Sequence, residues 1–139
     1  MLDIIYFSNI TNTTHRFVSK LDHKANFHRI PIKGDYPYCI LNSYILVVPS
    51  YGDRGHGHLP PQVRKFLAVE EFRKMCVGVV GTGSRNFGSE YNMAAKLIAK
   101  KLDVPLLHAL ELAGNEEDVQ KVERELMKFE TQAQHVEIN

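Results

Sequence analysis

The chain has 139 residues, 17 Lys+Arg against 16 Asp+Glu, and 44% apolar residues, which suits one domain able to bury about two-thirds of its unfolded surface. This balance excludes disordered, collagen-like and disulfide-scaffold classes. A net charge of +1 from scattered basic residues leaves no concentrated patch for non-specific nucleic-acid or membrane-surface binding.

Strand-like and helix-like patterns alternate along the chain. Leu2 to Phe7 is a short apolar run with Asp3 and no basic leader before it, so it reads as a first strand rather than a signal peptide. Ser8 to Thr14 is a polar turn, and Phe17, Val18 and Leu21 follow at helical spacing. Phe27 to Ile32 reads as a second strand, ended by Lys33-Gly34-Asp35-Tyr36-Pro37, and Tyr44 to Val48 as a third, β-branched and uncharged. Pro49 to Leu59 is a loop rich in Gly and His. Pro60-Pro61 then opens a helix carrying Val63, Phe66 and Leu67, Pro being tolerated at the first helical position. Cys76 to Val80 is the fourth strand, and Gly81 to Gly88 a glycine-bearing loop. A helix with Ala94, Leu97, Ile98 and Leu102 leads through Pro105 to a fifth strand, Leu106 to Leu112. The last helix, from about Glu116, carries Val119, Val122, Leu126 and Phe129. The expectation is one domain over 1–131 and a polar, frayed tail over 132–139. No apolar run approaches the roughly 20 residues needed to span a bilayer. Cys39 and Cys76, the two cysteines, point to a reducing, cytoplasmic setting without a disulfide framework.

Strands interleaved with helices imply a parallel sheet covered on both faces. The runs Ile4-Ile5-Tyr6-Phe7, Tyr44-Ile45-Leu46-Val47-Val48 and Val77-Gly78-Val79-Val80 are continuously apolar, as interior parallel strands should be. Phe27-His28-Arg29-Ile30 and Leu107-His108-Ala109-Leu110-Glu111 carry polar residues, which edges tolerate. Strands one, three and four inside, with two and five outside, give the order 2-1-3-4-5. This is the flavodoxin-like doubly wound α/β sheet, whose ligand crevice lies beyond the carboxyl ends of strands one and three.

Three loops meet that crevice. In the first, Ser8-Asn9-Ile10-Thr11-Asn12-Thr13-Thr14, every residue but Ile10 carries a hydroxyl or amide. One such residue suffices to cap a helix; a cluster suits phosphate, held by hydroxyls and free backbone N–H groups without a lysine. The loop Gly81-Thr82-Gly83-Ser84-Arg85-Asn86-Phe87-Gly88 fails two familiar motifs. A dinucleotide G-x-G-x-x-G needs glycine where Asn86 stands, and a P-loop needs Lys-Ser/Thr where Ser89-Glu90 stand. What remains is a turn that lets backbone approach a flat ligand, with Asn86 and Phe87 projecting amide and aromatic groups. In the long loop Pro49-Ser50-Tyr51-Gly52-Asp53-Arg54-Gly55-His56-Gly57-His58, Tyr51 is placed to stack on an aromatic ligand. His56 and His58 lack a third metal ligand, so no metal site is expected. Cys76 begins an interior strand and reads as a packed core thiol. Ile45 and Thr82 stand six residues after Cys39 and Cys76, where a cysteine-dependent phosphatase needs Arg.

The segments YFSNITNTTHRF (6–17), VPSYGDRGHGHLPPQV (48–63), GTGSRNFGSEY (81–91) and VPLLHALELAGNEEDV (104–119) resemble the NrdI family, small flavodoxin-like activating proteins of class Ib ribonucleotide reductases. The resemblance runs to about residue 130. It implies non-covalent FMN, with phosphate on Ser8, Asn9, Thr11, Asn12, Thr13 and Thr14. The isoalloxazine would lie beside Pro49, Ser50, Tyr51 and Gly52 and beside Thr82, Gly83, Asn86, Phe87 and Gly88. It further implies a redox activator rather than a stand-alone metabolic enzyme. Such a protein takes electrons from a reductase, reduces molecular oxygen at the flavin, and passes the oxidant to a manganese-bearing radical subunit for tyrosyl-radical assembly. Relatives often carry a run of glycines where Asp53-Arg54-Gly55-His56-Gly57-His58 stands, a departure that bears on the surface beside the flavin.

Other readings share the fold. A phosphoacceptor receiver domain needs acidic residues after strand one and Asp at the end of strand three, where Ser8-Asn9 and Pro49-Ser50 stand. An electron-transfer flavodoxin and a cofactor-free binding module remain as alternatives.

Overall fold

The computed structural model describes residues 2–22, 26–37, 39–50, 59–83 and 92–138, with side chains described as far as residue 131. Its elements in chain order are β1 (Asp3–Tyr6), α1 (Thr13–Ser19), β2 (Phe27–Arg29), β3 (Tyr44–Pro49), α2 (Pro61–Leu67), α3 (Glu70–Lys74), β4 (Cys76–Gly83), α4 (Met93–Leu102), β5 (Leu106–Glu111) and α5 (Glu116–Ile138). The strands form one parallel sheet in the order β2-β1-β3-β4-β5, as the apolar and mixed runs predict.

Alternation along each interior strand divides the core between the two faces of the sheet. Ile4, Tyr6, Ile45, Val47 and Val80 pack with Phe17 and Val18 of α1 and with Val119, Val122 and Leu126 of α5. Ile5, Phe7, Leu46, Val48 and Val79 face the other way, onto Val63 and Phe66 of α2 and Ala95 and Ile98 of α4. The edges behave differently. All three residues of β2 and all of β5 except Leu110 retain some exposure, which accommodates His28, Arg29, His108 and Glu111.

Beyond shifts of one residue at strand ends, four features differ from the sequence reading. β2 stops at Arg29, because beyond it Ile30 makes a last bond to Tyr6 and the chain turns away toward Gly34 at φ +87°. β4 continues through Gly81, Thr82 and Gly83, which the glycine content had placed in a loop. Those residues pair with Val48 and Pro49 on one side and with Ala109, Leu110 and Glu111 on the other. A short helix, α3, follows α2 where no separate element was expected; its first turn holds Glu70 and Glu71 and its last Arg73 and Lys74, charges that complement the helix dipole. α5 runs to Ile138, past Thr131; residues 132–138 contain neither Gly nor Pro to stop it.

Candidate functional site

Among the described residues, most buried polar side chains gather at the carboxyl ends of β1, β3 and β4. Of the described residues, the buried polar or charged ones are Asp3, Ser8, Thr14, Ser50, Thr82 and Asn92; all but Asp3 lie at or just beyond those strand ends or at the start of α1 or α4. Buried polar groups require partners, and here the partners tie the loops together. Thr14 Oγ1 and Thr82 Oγ1 share a buried hydrogen bond of 2.8 Å, joining α1 to β4. Ser50 donates its backbone N–H to the Thr82 carbonyl at 3.1 Å, while its Oγ accepts the Ala94 N–H at 2.8 Å, joining β3 to the first turn of α4. In the Thr14–Thr82 pair one hydroxyl hydrogen is used, which leaves the other free to donate.

The turn after β1 is shaped by its own side chains. Asn9 Oδ1 accepts both the backbone N–H of Thr11, at 3.1 Å, and the Thr11 hydroxyl. The Thr11 and Thr13 hydroxyl oxygens lie 3.2 Å apart. Asn12 takes the left-handed conformation at φ +60° before α1 and makes no side-chain capping bond. Such a conformation suits Asn among non-glycine residues. The Ser8 Oγ instead accepts the His15 N–H at 3.1 Å, and the His15 ring meets the Tyr6 hydroxyl at 2.7 Å. Burial pushes the Tyr6 phenol above its ordinary range, against a partial offset from Arg29. Capping by Thr11 or Thr13, the simplest explanation of those residues, is not what these hydroxyls do.

Asn92 is the second organising amide. It stands before α4 at φ +55° and is fully buried. Its Nδ2 donates to the Leu110 carbonyl at 3.2 Å, while Oδ1 has no hydrogen-bond partner among the described residues. A Cβ at Gly81 would lie 2.7 Å from Asn92 Oδ1 and 2.7 Å from the Ala95 methyl, and one at Gly83 would lie 3.0 Å from the same oxygen. These two glycines therefore let α4 sit against the end of β4. The amide lies too deep and too far from any periodic pattern to be read from sequence, although Asn just before a helix is a recognisable signal.

Arg29 was also missed. In sequence it is one polar residue in an edge strand; in the fold its Nη2 reaches Ser8 O at 2.9 Å, Asn9 O at 3.1 Å and Asn12 Oδ1 at 2.8 Å. Of the sequence-selected residues, Ser8, Asn9, Thr11, Asn12, Thr13, Thr14, Pro49, Ser50, Thr82 and Gly83 thus come together at one end of the sheet. Tyr51, Gly52, Asn86, Phe87 and Gly88 lie outside the described residues, as do Asp53, Arg54, His56 and His58. A separate groove of about 970 Å³ runs between α2, α3 and α4, lined by Leu67, Leu97 and Leu102; none of the residues that meet at the strand ends lines it. Cys76 is buried, and burial raises its thiol to about 11, so it is a core group. Among the described residues no group of three or more His, Cys, Asp or Glu side chains could hold a metal ion, and no helix is long and apolar enough to cross a membrane.

A parallel 2-1-3-4-5 sheet with a hydroxyl-lined turn after β1 defines a flavodoxin-like protein. The fold is similar to the solved short-chain flavodoxin associated with a non-canonical PDU bacterial microcompartment, with a TM-score of 0.62 at 14% identity over 89% of this chain and 93% of that one. Residues 5–124 match the family model for NrdI flavodoxin-like proteins, and the chain belongs to that family. Protein NrdI of Photorhabdus laumondii is 44% identical over 128 residues, covering 91% of this chain and 90% of the relative. Protein NrdI of Mesoplasma florum is 41% identical over 129 residues, covering 91% and 84%. Fold and family together imply a flavin cofactor, and the family is associated with ribonucleotide reductase.

Proposed function

We propose that the protein binds FMN non-covalently at the carboxyl ends of β1, β3 and β4 and serves as the oxygen-reducing activator of a class Ib ribonucleotide reductase. The observation that carries the reading is the concentration of buried Ser8, Thr14, Ser50, Thr82 and Asn92 at that end of the sheet. The residues present fit the group. Thr11, Asn12 and Thr13 place exposed or half-exposed hydroxyl and amide groups before α1, and the Thr11 and Thr13 hydroxyls, bonded to Asn9 Oδ1 and to each other, can rotate to donate to a phosphate monoester. Gly81 and Gly83 let Asn92 lie close against the end of β4, where its Oδ1 is an acceptor without a partner among the described residues.

In this reading Ser8, Asn9, Thr11, Asn12, Thr13 and Thr14 hold the phosphate. Pro49, Ser50, Thr82 and Gly83 bound the ring side, together with Tyr51, Gly52, Asn86, Phe87 and Gly88. The Thr14–Thr82 and Ser50–Ala94 bonds fix the two sides relative to one another before any ligand arrives, so less ordering accompanies binding. When bound, the flavin supplies the electrons that reduce oxygen to the oxidant handed to the dimanganese radical subunit, with a separate reductase as their source. The chain's own part is to bind, orient and present the cofactor to that partner in the cytoplasm.

The experiment is stopped-flow mixing of the reduced protein, in complex with a manganese-loaded radical subunit, against oxygen, following flavin absorbance and the tyrosyl-radical signal together. Radical formation exceeding that given by an unrelated reduced flavodoxin supports the reading. Equal radical yields would leave general electron transfer as the function. A colourless protein that takes up no FMN would leave a cofactor-free binding module. Replacing Thr11 and Thr13 together by Ala should weaken FMN by about 1.5–3 kcal/mol for each donor lost to a charged group and leave riboflavin nearly unchanged, as measured by calorimetric titration.

A further inference from the structure

We infer that Arg29 is a positioning residue for the phosphate turn: from the edge strand it holds the carbonyls of Ser8 and Asn9 and the amide of Asn12, and so gives the turn its preference for an anion. The inference rests on the phosphate assignment made above and adds a residue to it. One nitrogen, Nη2, lies 2.9 Å from Ser8 O, 3.1 Å from Asn9 O and 2.8 Å from Asn12 Oδ1. It carries two hydrogens, so the three acceptors share them, and one contact at least is bifurcated.

The consequence follows from peptide geometry. In a trans peptide the C=O and the next N–H point in opposite directions. Drawing the Ser8 and Asn9 carbonyls toward Arg29 therefore turns the N–H groups of Asn9 and Ile10 away from it, a disposition that suits an anion-binding nest. The same contacts place a full positive charge on carbonyl oxygens whose partial negative charge would otherwise repel phosphate. They also engage Asn12 Oδ1, which makes no capping bond to α1. Arg29 can do this because its register partner on β1 is Tyr6, two residues before Ser8, so the guanidinium spans the start and the end of the turn. A lysine would bring one point charge to the same place but not the planar donor set.

The test compares wild type, Arg29→Lys and Arg29→Met for FMN and riboflavin affinity by fluorescence titration, with thermal unfolding of each flavin-free protein. Arg29→Met should lose FMN affinity by about 10-fold or more, equivalent to about 1.4 kcal/mol, while riboflavin affinity changes less than about 2-fold; Arg29→Lys should recover part of the difference. Parallel loss of both ligands, or no FMN-selective loss in either variant, overturns the inference. If Arg29→Met does not fold, the Arg29→Lys comparison decides the matter by the same criterion, supported by faster amide exchange at residues 9–12. Should the wild type itself bind FMN and riboflavin equally, the phosphate assignment fails, whatever Arg29 does; a wild type that prefers FMN beside an Arg29→Met that keeps the preference removes Arg29 alone.

Discussion

Gly81 shows how one residue links strand, helix and site. Its missing side chain leaves room for the Ala95 methyl and the Asn92 amide, each only 2.7 Å from where a Cβ would stand, and neither neighbour is the free end of a flexible chain. Gly81→Ala should therefore destabilise the protein by about 1–3 kcal/mol, the usual range for overpacking a filled core, read from urea unfolding, and should loosen the α4 contact with β4. Cys76 offers a second residue-scale expectation. Burial raises its thiol from an ordinary 9.0 to about 11. Between those values the unfolded chain has lost the thiol proton and the folded one keeps it, so stability falls as pH rises from about 9 toward 11. Two units correspond to roughly 3 kcal/mol at most. Cys76→Ser should flatten the fall between pH 9 and 10 in denaturation curves; an unchanged slope would show that the thiol is not its source. Tyr44, whose buried hydroxyl donates to the Phe72 carbonyl at 2.8 Å and whose phenol burial also pushes up, adds its own loss at higher pH.

Among the elements, α5 has the best-defined start. Asn115 Oδ1 accepts the Asp118 N–H at 3.0 Å, and Asp118 Oδ2 accepts the Asn115 N–H at 2.9 Å, a reciprocal cap that satisfies two groups otherwise orphaned at a helix end. Asp118 Oδ1 also meets His108 Nε2 of β5 at 2.8 Å. Asn115→Ala should lower stability by about 0.5–2 kcal/mol. Asp118→Ala should lower it further, because it also removes the bond that fastens the helix to the edge strand; thermal unfolding of the two variants checks the order. Neither substitution touches the strand ends that carry the candidate site, so FMN affinity should stay within about 2-fold in both.

At the scale of the whole molecule, the candidate site sits where the connections of β1, β3 and β4 leave the same end of the sheet, and a ligand there couples elements from both halves of the chain. FMN present at 100 times its dissociation constant should raise the unfolding free energy by about 2.7 kcal/mol. Riboflavin at the same concentration should give a smaller rise, since it lacks the group assigned to the 8–14 turn. Chemical denaturation at fixed pH with each ligand measures both, and equal rises would place the binding energy in the ring alone. Much of this architecture was legible in the chain: the continuous apolar runs of β1, β3 and β4 identified the interior strands, and the density of Ser, Thr and Asn after β1 marked the turn. The end of β4 escapes a sequence reading because Gly81 and Gly83 have poor strand propensity on either side of Thr82, and the segment is held in the sheet by the ladders with its neighbours and by the approach of α4.

Periodicity and composition, then, determined the sheet order, the faces of its helices and the position of the polar turn, since all three depend on burial patterns that repeat every two or every three to four residues. Which polar groups meet was decided only in three dimensions. Arg29 lies 21 residues from Ser8, Thr14 lies 68 from Thr82, and Ser50 lies 44 from Ala94. Contacts at such separations leave no local pattern, because a single hydrogen bond constrains one atom on each residue and nothing about its neighbours. The fold follows from averages over many side chains; the site depends on a few individual ones, brought together when parallel strands bring their carboxyl ends side by side.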